Sequence, residues 1–399
     1  MIETRAWRQR LRIWLIRRLR SSAVWPAGTA DKRTDVDRLD QALRAKVMVF
    51  FATGRNTVYQ LRGWLRALED LDAAHGVVVV CRDSRAAAAI RAESTLDCLT
   101  LATPAQLDAI LQLSSVKLAL YVNHNPINFE CLRFPSLVHV YLGHGDSDKG
   151  VSVSNQVKAY DFCFLAGQGA LDRTAAGTML YDAPGRSIVV GQPELDVAWP
   201  APDPDPQRRT VLYAPTWEAS QPSMCYSSLQ TMGEQIMAAV RGRYRLIYRP
   251  HPSTGSLDPA YAALDTQLRG LADRVDTDVP LTRSFADADL LLADVSAVIL
   301  SWLPSGRPVV LIEPAVPMLK SPLLEALPLL RPGADIASMI DAQLRDDPTA
   351  EARGELVEYY FGDTTPGAAT ARFLQACTDL IELRDTQWAA AQARGAVGP

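Results

Sequence analysis

The sequence predicts an α/β protein: two Rossmann-like, doubly wound units facing each other across a cleft, preceded by a basic N-terminal amphipathic helix. Three observations carry this. From Lys46 onward, short β-branched runs alternate with Ala-, Arg- and Leu-rich helical stretches. The alternation stops at AWPAPDPDPQR (198–208), which holds four prolines and no periodicity, and it restarts at Thr210. Near-continuous apolar strands separated by helices describe parallel sheets covered on both faces.

The chain begins with a different kind of segment. On a helix over residues 4–20, Trp7, Leu11, Trp14, Leu15 and Leu19 share one face, while Arg5, Arg8, Arg10, Arg12 and Arg17 lie mostly off it. Residues 1–20 hold seven arginines against one glutamate in a chain of net charge −4. Trp with Arg on a short amphipathic helix suits an interfacial anchor, with indoles at headgroup level and guanidinium groups on anionic lipid. The residues assigned to that anionic membrane surface are Trp7, Arg8, Leu11, Arg12, Trp14 and Leu15. A helix packed on its own domain, a nucleic-acid patch and a transit peptide are the alternatives. The predicted organisation is a membrane-surface helix at 1–25, a linker at 26–45, a first Rossmann-like unit at 46–197 and the Pro-rich hinge at 198–208. A second Rossmann-like unit follows at 209–365, with a C-terminal helix and tail at 366–399.

Predicted strands of the first unit are 47–52, 77–81, 117–122, 138–142, 162–166 and 187–190. Those of the second are 210–214, 245–249, 289–293 and 308–312. With 48% hydrophobic and 22% charged residues over 399 positions, the chain is neither disordered, fibrous nor a small disulfide scaffold. Its net charge gives no reason to expect a nucleic-acid partner. No run of roughly 18 uncharged apolar residues could span a bilayer. The six cysteines are scattered without metal-ligand spacing, so they read as reduced core thiols of a cytosolic protein. Separately, nothing in the sequence calls for a metal or a cofactor, and neither is expected.

Chemistry-capable residues collect at the carboxyl ends of the strands, where open α/β sheets bind ligands. Strand 138–142 runs into Gly143-His144-Gly145-Asp146-Ser147-Asp148-Lys149-Gly150, and strand 210–214 into Pro215-Thr216-Trp217-Glu218. Strand 245–249 ends in Arg249-Pro250-His251-Pro252, and strand 289–293 in Asp294-Val295-Ser296-Ala297 ahead of an apolar helix. Glycines flanking His144 let a ligand approach the main chain, and prolines flanking His251 hold it on a rigid segment. Strand–DxS–helix places a hydroxyl and backbone N–H groups at a positive helix terminus, although Ser296 could equally be a plain cap. His75, His124 and His139 read as structural. No G-x-G-x-x-G, Walker A, HExxH or GxSxG pattern occurs.

At these residues the chain resembles the CDP-glycerol glycerophosphotransferases that build teichoic acids and related capsule polymers. HGDSDKG (144–150) is similar to the family's HGxxxKxxG segment, YAPTWE (213–218) to its YAPTWR, RPHP (249–252) to its RxHP, and ADVSAVILSW (293–302) to its TDYSSVxFDF; GQPELD (191–196) matches GxPRND more weakly. The chain departs from the pattern at Gly143, Glu194, Val295, Ala297 and Ser301. The resemblance implies a GT-B fold, a donor held mainly by the second unit, and peripheral attachment to the cytoplasmic face of the cell membrane. The implied partners are CDP-glycerol or a related CDP-polyol and a lipid-linked or polymeric hydroxyl acceptor, with CMP released. His144 and His251 are then the catalytic candidates. Gly145, Lys149, Pro215, Thr216, Arg249, Asp294, Ser296, Ala297 and Ser301 are the substrate-binding ones. A GT-B glycosyltransferase using a nucleotide-sugar, and a non-catalytic membrane scaffold, are the competing readings.

Overall fold

A computed structural model describes residues 44–395 and Leu15, apart from Ala102, 149–153, 200–208, 220–223, Asp278 and 318–320. Trp7, Arg8, Leu11, Arg12 and Trp14 of the predicted anchor, Lys149, and most of the Pro-rich hinge therefore lie outside the described residues. Leu15 is exposed.

Two parallel sheets organise the chain. The first contains β1 (Val47–Phe51), β2 (Val77–Cys81), β3 (Asp97–Thr100), β4 (Leu118–Tyr121), β5 (Val138–Tyr141), β6 (Phe162–Leu165) and β7 (Ser187–Val189), in the order β3-β2-β1-β4-β5-β6-β7. The second contains β8 (Thr210–Ala214), β9 (Arg245–Tyr248), β10 (Arg274–Val275), β11 (Leu290–Ala293), β12 (Val309–Ile312) and β13 (Leu329–Leu330), in the order β10-β9-β8-β11-β12-β13. Among the described residues every strand pairing is parallel. The two predicted doubly wound units are both present, in the GT-B arrangement. All six free cysteines are reduced, five of them buried.

The central strands are buried on both faces, which is why they read as unbroken apolar runs: Val47, Met48, Val49, Leu290, Leu291 and Leu292 have no exposed surface. Each sheet reverses direction once, between β1 and β4 and between β8 and β11. The crevice at such a reversal, outside the carboxyl ends, is where doubly wound sheets take ligands. In the first sheet Thr53 and Asn123 flank it, their side chains joined at 3.3 Å. In the second, Pro215–Thr216 and Asp294–Ser296 do.

The last helix is Ala368–Ala393, within the segment 366–399 expected to hold a C-terminal helix and tail. Although it follows the second sheet in sequence, Phe373, Ala376, Cys377, Leu380 and Ile381 pack into the core of the first. Among the described residues no helix is long and apolar enough to cross a membrane.

Candidate active site between the two sheets

The loop after β5 carries His144. Gly143 and Gly145 have φ of +70° and +115°, values that suit glycine and turn the chain sharply on either side of the histidine. The indole N–H of Trp64 donates to the Gly143 carbonyl at 2.9 Å and fixes the turn from the first-lobe side. From the second lobe, Ala297 lies so close that a Cβ at Gly145 would sit 3.3 Å from its methyl carbon. The His144 loop thus touches the start of the helix Ala297–Trp302, and the two sheets converge at this point.

The hydrogen bonds of His144 define its tautomer. Its Nδ1 lies 2.8 Å from the Val122 carbonyl, which can only accept, so Nδ1 carries the proton of the neutral ring. Nε2 is then the acceptor and lies 3.3 Å from the Gln60 amide nitrogen. Gln60 is oriented in turn by Asn123, whose amide donates to its Oε1 at 2.7 Å. The ring is reachable by solvent, yet protein surrounds enough of it that desolvation pulls its proton affinity below the ordinary value, against the opposing effect of the Val122 carbonyl. A neutral imidazole with a basic Nε2 results. His124, stacked on Tyr141 at 4.1 Å, is pulled down further, to about 4, by burial and then by the proximity of His144. Like His75 and His139, it is held by its surroundings. His139 bonds the Tyr121 hydroxyl and the Phe134 carbonyl.

The same loop is pinned by two aspartates. Arg173 pairs with Asp146 and, at 2.7 Å, with Asp148, while Asp148 also accepts from Ser321 and from the Tyr360 hydroxyl. Ser321 lies between β12 and β13 and Tyr360 packs in the core of the second sheet, so Asp148 ties the loop to the far lobe.

On the second sheet, His251 follows β9. Its Nδ1 accepts the Ser253 backbone N–H at 3.0 Å, leaving the proton of the neutral ring on Nε2. This is the opposite tautomer from His144: one imidazole is built to accept and the other to donate. Trp217 stacks on His251 at 5.8 Å, 15° from parallel. Glu218 holds the segment that follows, accepting from the N–H groups of Gly255 and Leu257 at 3.0 and 2.9 Å. Burial works against its charge, but those donors prevail and its carboxyl titrates below the ordinary range.

Arg249 donates to the Ser284 hydroxyl at 2.8 Å and to the Val279 carbonyl at 3.0 Å. Burial weakens its hold on its proton, while Asp276 and Glu194 oppose that effect. Ser296 is 8% exposed, and its hydroxyl is buried without a hydrogen-bond partner at the head of a short helix. An unsatisfied buried hydroxyl there is a reason to expect a ligand oxygen.

The remaining residues named from the sequence sit deeper. Asp294 is 1% exposed and accepts the backbone N–H of Thr216 at 2.7 Å and of Ser228 at 3.1 Å. Its carboxylate braces the two loops that carry the site. Pro215, Thr216 and Ser301 are likewise buried. Gln60 and Trp64 belong to the site but were not singled out by sequence. They lie in an ordinary helical stretch, and only the fold brings them to the His144 loop. Among the described residues no three His, Cys, Asp or Glu side chains group to hold a metal ion.

Comparison with known proteins agrees with this picture. Residues 178–316, about a third of the chain, match the family model CDP-Glycerol:Poly(glycerophosphate) glycerophosphotransferase. A solved structure of the wall teichoic acid polymerase TagF aligns with a TM-score of 0.56 at 12% identity, over 96% of this chain and 98% of that one. The S. aureus MnaA–UDP structure aligns at 0.54 and 15% identity, over 85% and 97%. A putative UDP-N-acetylglucosamine 2-epimerase from Listeria monocytogenes aligns at 0.57 and 16%, also over 85% and 97%. No curated protein matches by sequence. The likenesses to solved structures establish the two-lobed fold, and the family match bears out the resemblance read from the motifs.

Proposed function

We propose, from the premise of a CDP-glycerol glycerophosphotransferase-like transferase, that this chain moves glycerol phosphate, or a related polyol phosphate, from a CDP-activated donor to a hydroxyl of a lipid-linked or polymeric acceptor. The product belongs to a teichoic-acid- or capsule-like polymer. The observation that carries the reading is the pair of complementary tautomers, an acceptor Nε2 on His144 and a donor Nε2–H on His251. In-line phosphoryl transfer needs the acceptor hydroxyl deprotonated as it attacks and the departing phosphate stabilised. His144 takes the hydroxyl proton on Nε2 as the new P–O bond forms to the polyol-bearing phosphorus. The bond from that phosphorus to the bridging oxygen breaks, and CMP leaves with the electron pair. Arg249 and the Nε2–H of His251 offset the charge that develops on the diphosphate, with the Ser296 hydroxyl as a further donor. Lys149 is assigned to the same anion.

The basic N-terminal helix would hold the enzyme peripherally at the cytoplasmic face of the membrane, beside its acceptor. The test is CMP release from CDP-glycerol by purified protein. His144→Ala and His251→Ala should each reduce turnover by about 10²–10⁴-fold while leaving the circular dichroism spectrum unchanged. Full activity in either folded variant refutes the mechanism.

A further inference from the structure

Glu194 occupies a position that the reaction as proposed does not use. It lies on the turn Pro193–Leu195, just after the first sheet, and is half-buried. Its carboxyl oxygen Oε2 is 2.6 Å from where a Cβ on Gly63 would stand, so glycine at 63 is what makes room for it. Gly63 forms the corner between the helices Tyr59–Arg62 and Leu65–His75. Residues on either side of that corner reach the His144 loop: Gln60 touches Nε2 of His144, and Trp64 holds the Gly143 carbonyl. In the other direction, the charge of Glu194 is felt by Arg249. The carboxylate therefore packs against the corner whose flanking residues orient the proposed base, and its charge reaches the arginine assigned to the diphosphate. Burial raises its proton affinity, Arg249 opposes that, and a hydrogen bond from Gln192 orients it.

A carboxylate beside a diphosphate repels it unless another part of the ligand gives it something to accept. In the proposed reaction the group joined to the attacked phosphorus lies beside both the base and the diphosphate, the two features that Glu194 neighbours. A half-buried carboxylate, with acceptor capacity beyond the one bond from Gln192, suits vicinal or terminal alcohols. We infer that Glu194 is a specificity-determining residue that reads the free hydroxyls of the transferred polyol, with Gly63 as the notch that admits its side chain. The inference rests on the proposed function.

The experiment compares kcat/KM for CMP release from CDP-glycerol and from CDP-propanol, which lacks both free hydroxyls. The enzymes are wild type, Glu194→Ala, Glu194→Gln and Gly63→Ala. Hydrogen bonds to a charged acceptor predict a wild-type preference for CDP-glycerol of roughly 10- to 100-fold. In Glu194→Ala the ratio should collapse toward unity, whereas Glu194→Gln, which keeps an acceptor oxygen, should retain part of it. Gly63→Ala keeps the carboxylate but crowds it out of its notch, and the ratio should fall there too. A wild-type ratio preserved in Glu194→Ala, or an equal loss on both donors, overturns the inference and leaves the transfer reaction standing. Release of CMP from neither donor by the wild-type protein overturns the proposed function and this inference with it.

Discussion

Asp294 separates two accounts of the strand–DxS–helix segment, one in which its carboxylate contacts the donor and one in which it braces the loops that do. The geometry favours bracing: Oδ2 accepts from the Thr216 and Ser228 amides at 2.7 and 3.1 Å, and the residue is 1% exposed. In Asp294→Ala both amides remain buried without this acceptor. At about 1–3 kcal/mol for each unsatisfied group, the loss is about 2–6 kcal/mol. Against a total of about 5–15 kcal/mol this is severe. For a unit of 150–250 residues it corresponds to a melting temperature about 8–16 °C lower, taking the loss as about 4 kcal/mol. Asp294→Asn keeps one oxygen as a neutral acceptor and should lose about half as much. Thermal unfolding followed by circular dichroism, with CDP-glycerol titrated calorimetrically below the transition, checks both halves of the claim. If Asp294→Ala melts within about 2 °C of wild type yet no longer binds donor, the carboxylate touches the donor directly and the bracing argument is wrong.

Because the neutral ring of His144 is the base and its proton affinity is lowered, the acid limb of kcat/KM should lie below pH 6.5. A limb above that value, or one that persists in His144→Ala, would count against it. His124 provides a stability test. Its folded value of about 4 lies below the unfolded value near 6.5, so the unfolded chain takes up the proton first. Its contribution is present above pH 6.5 and disappears as the pH falls toward 4. Denaturant unfolding at pH 7.5 and 4.5 should show His124→Gln losing about 1–3 kcal/mol less than wild type between the two, the range being discounted for partial exposure. Identical losses would reject the assignment. Deleting residues 1–25 should abolish co-sedimentation with anionic vesicles while sparing transfer to a soluble acceptor analogue, and persistent sedimentation would remove the anchor.

The sequence made the sheet architecture readable because the central strands are covered on both faces. VMVFF, VVVVC and LLLA have little to alternate with. Strand Asp97–Thr100 escaped notice because Asp97 and Thr100 break its apolar run, and Arg274–Val275 and Leu329–Leu330 are two residues each, too short to show a period. The loops bearing His144 and His251 were readable because glycine and proline mark sharp or rigid backbone. What side chains do within those loops was not. Asp294 and Glu218 are acidic residues beside predicted phosphate ligands, and only coordinates reveal that their oxygens face peptide N–H groups. Gln60 and Trp64 lie more than seventy residues from the loop they orient, a relation that no local pattern encodes.

The path of the final helix bears on how the molecule can be divided. Because Phe373, Cys377 and Ile381 complete a hydrophobic interior begun some 300 residues earlier, cutting at the proline-rich boundary would not release an independent half. A fragment ending there would lack that surface and would present an oily groove to solvent, inviting aggregation. The chain thus crosses between the lobes twice, outbound after β7 and returning into the last helix. A fragment meant to isolate the base-bearing half would need the terminal helix supplied in trans or grafted back on.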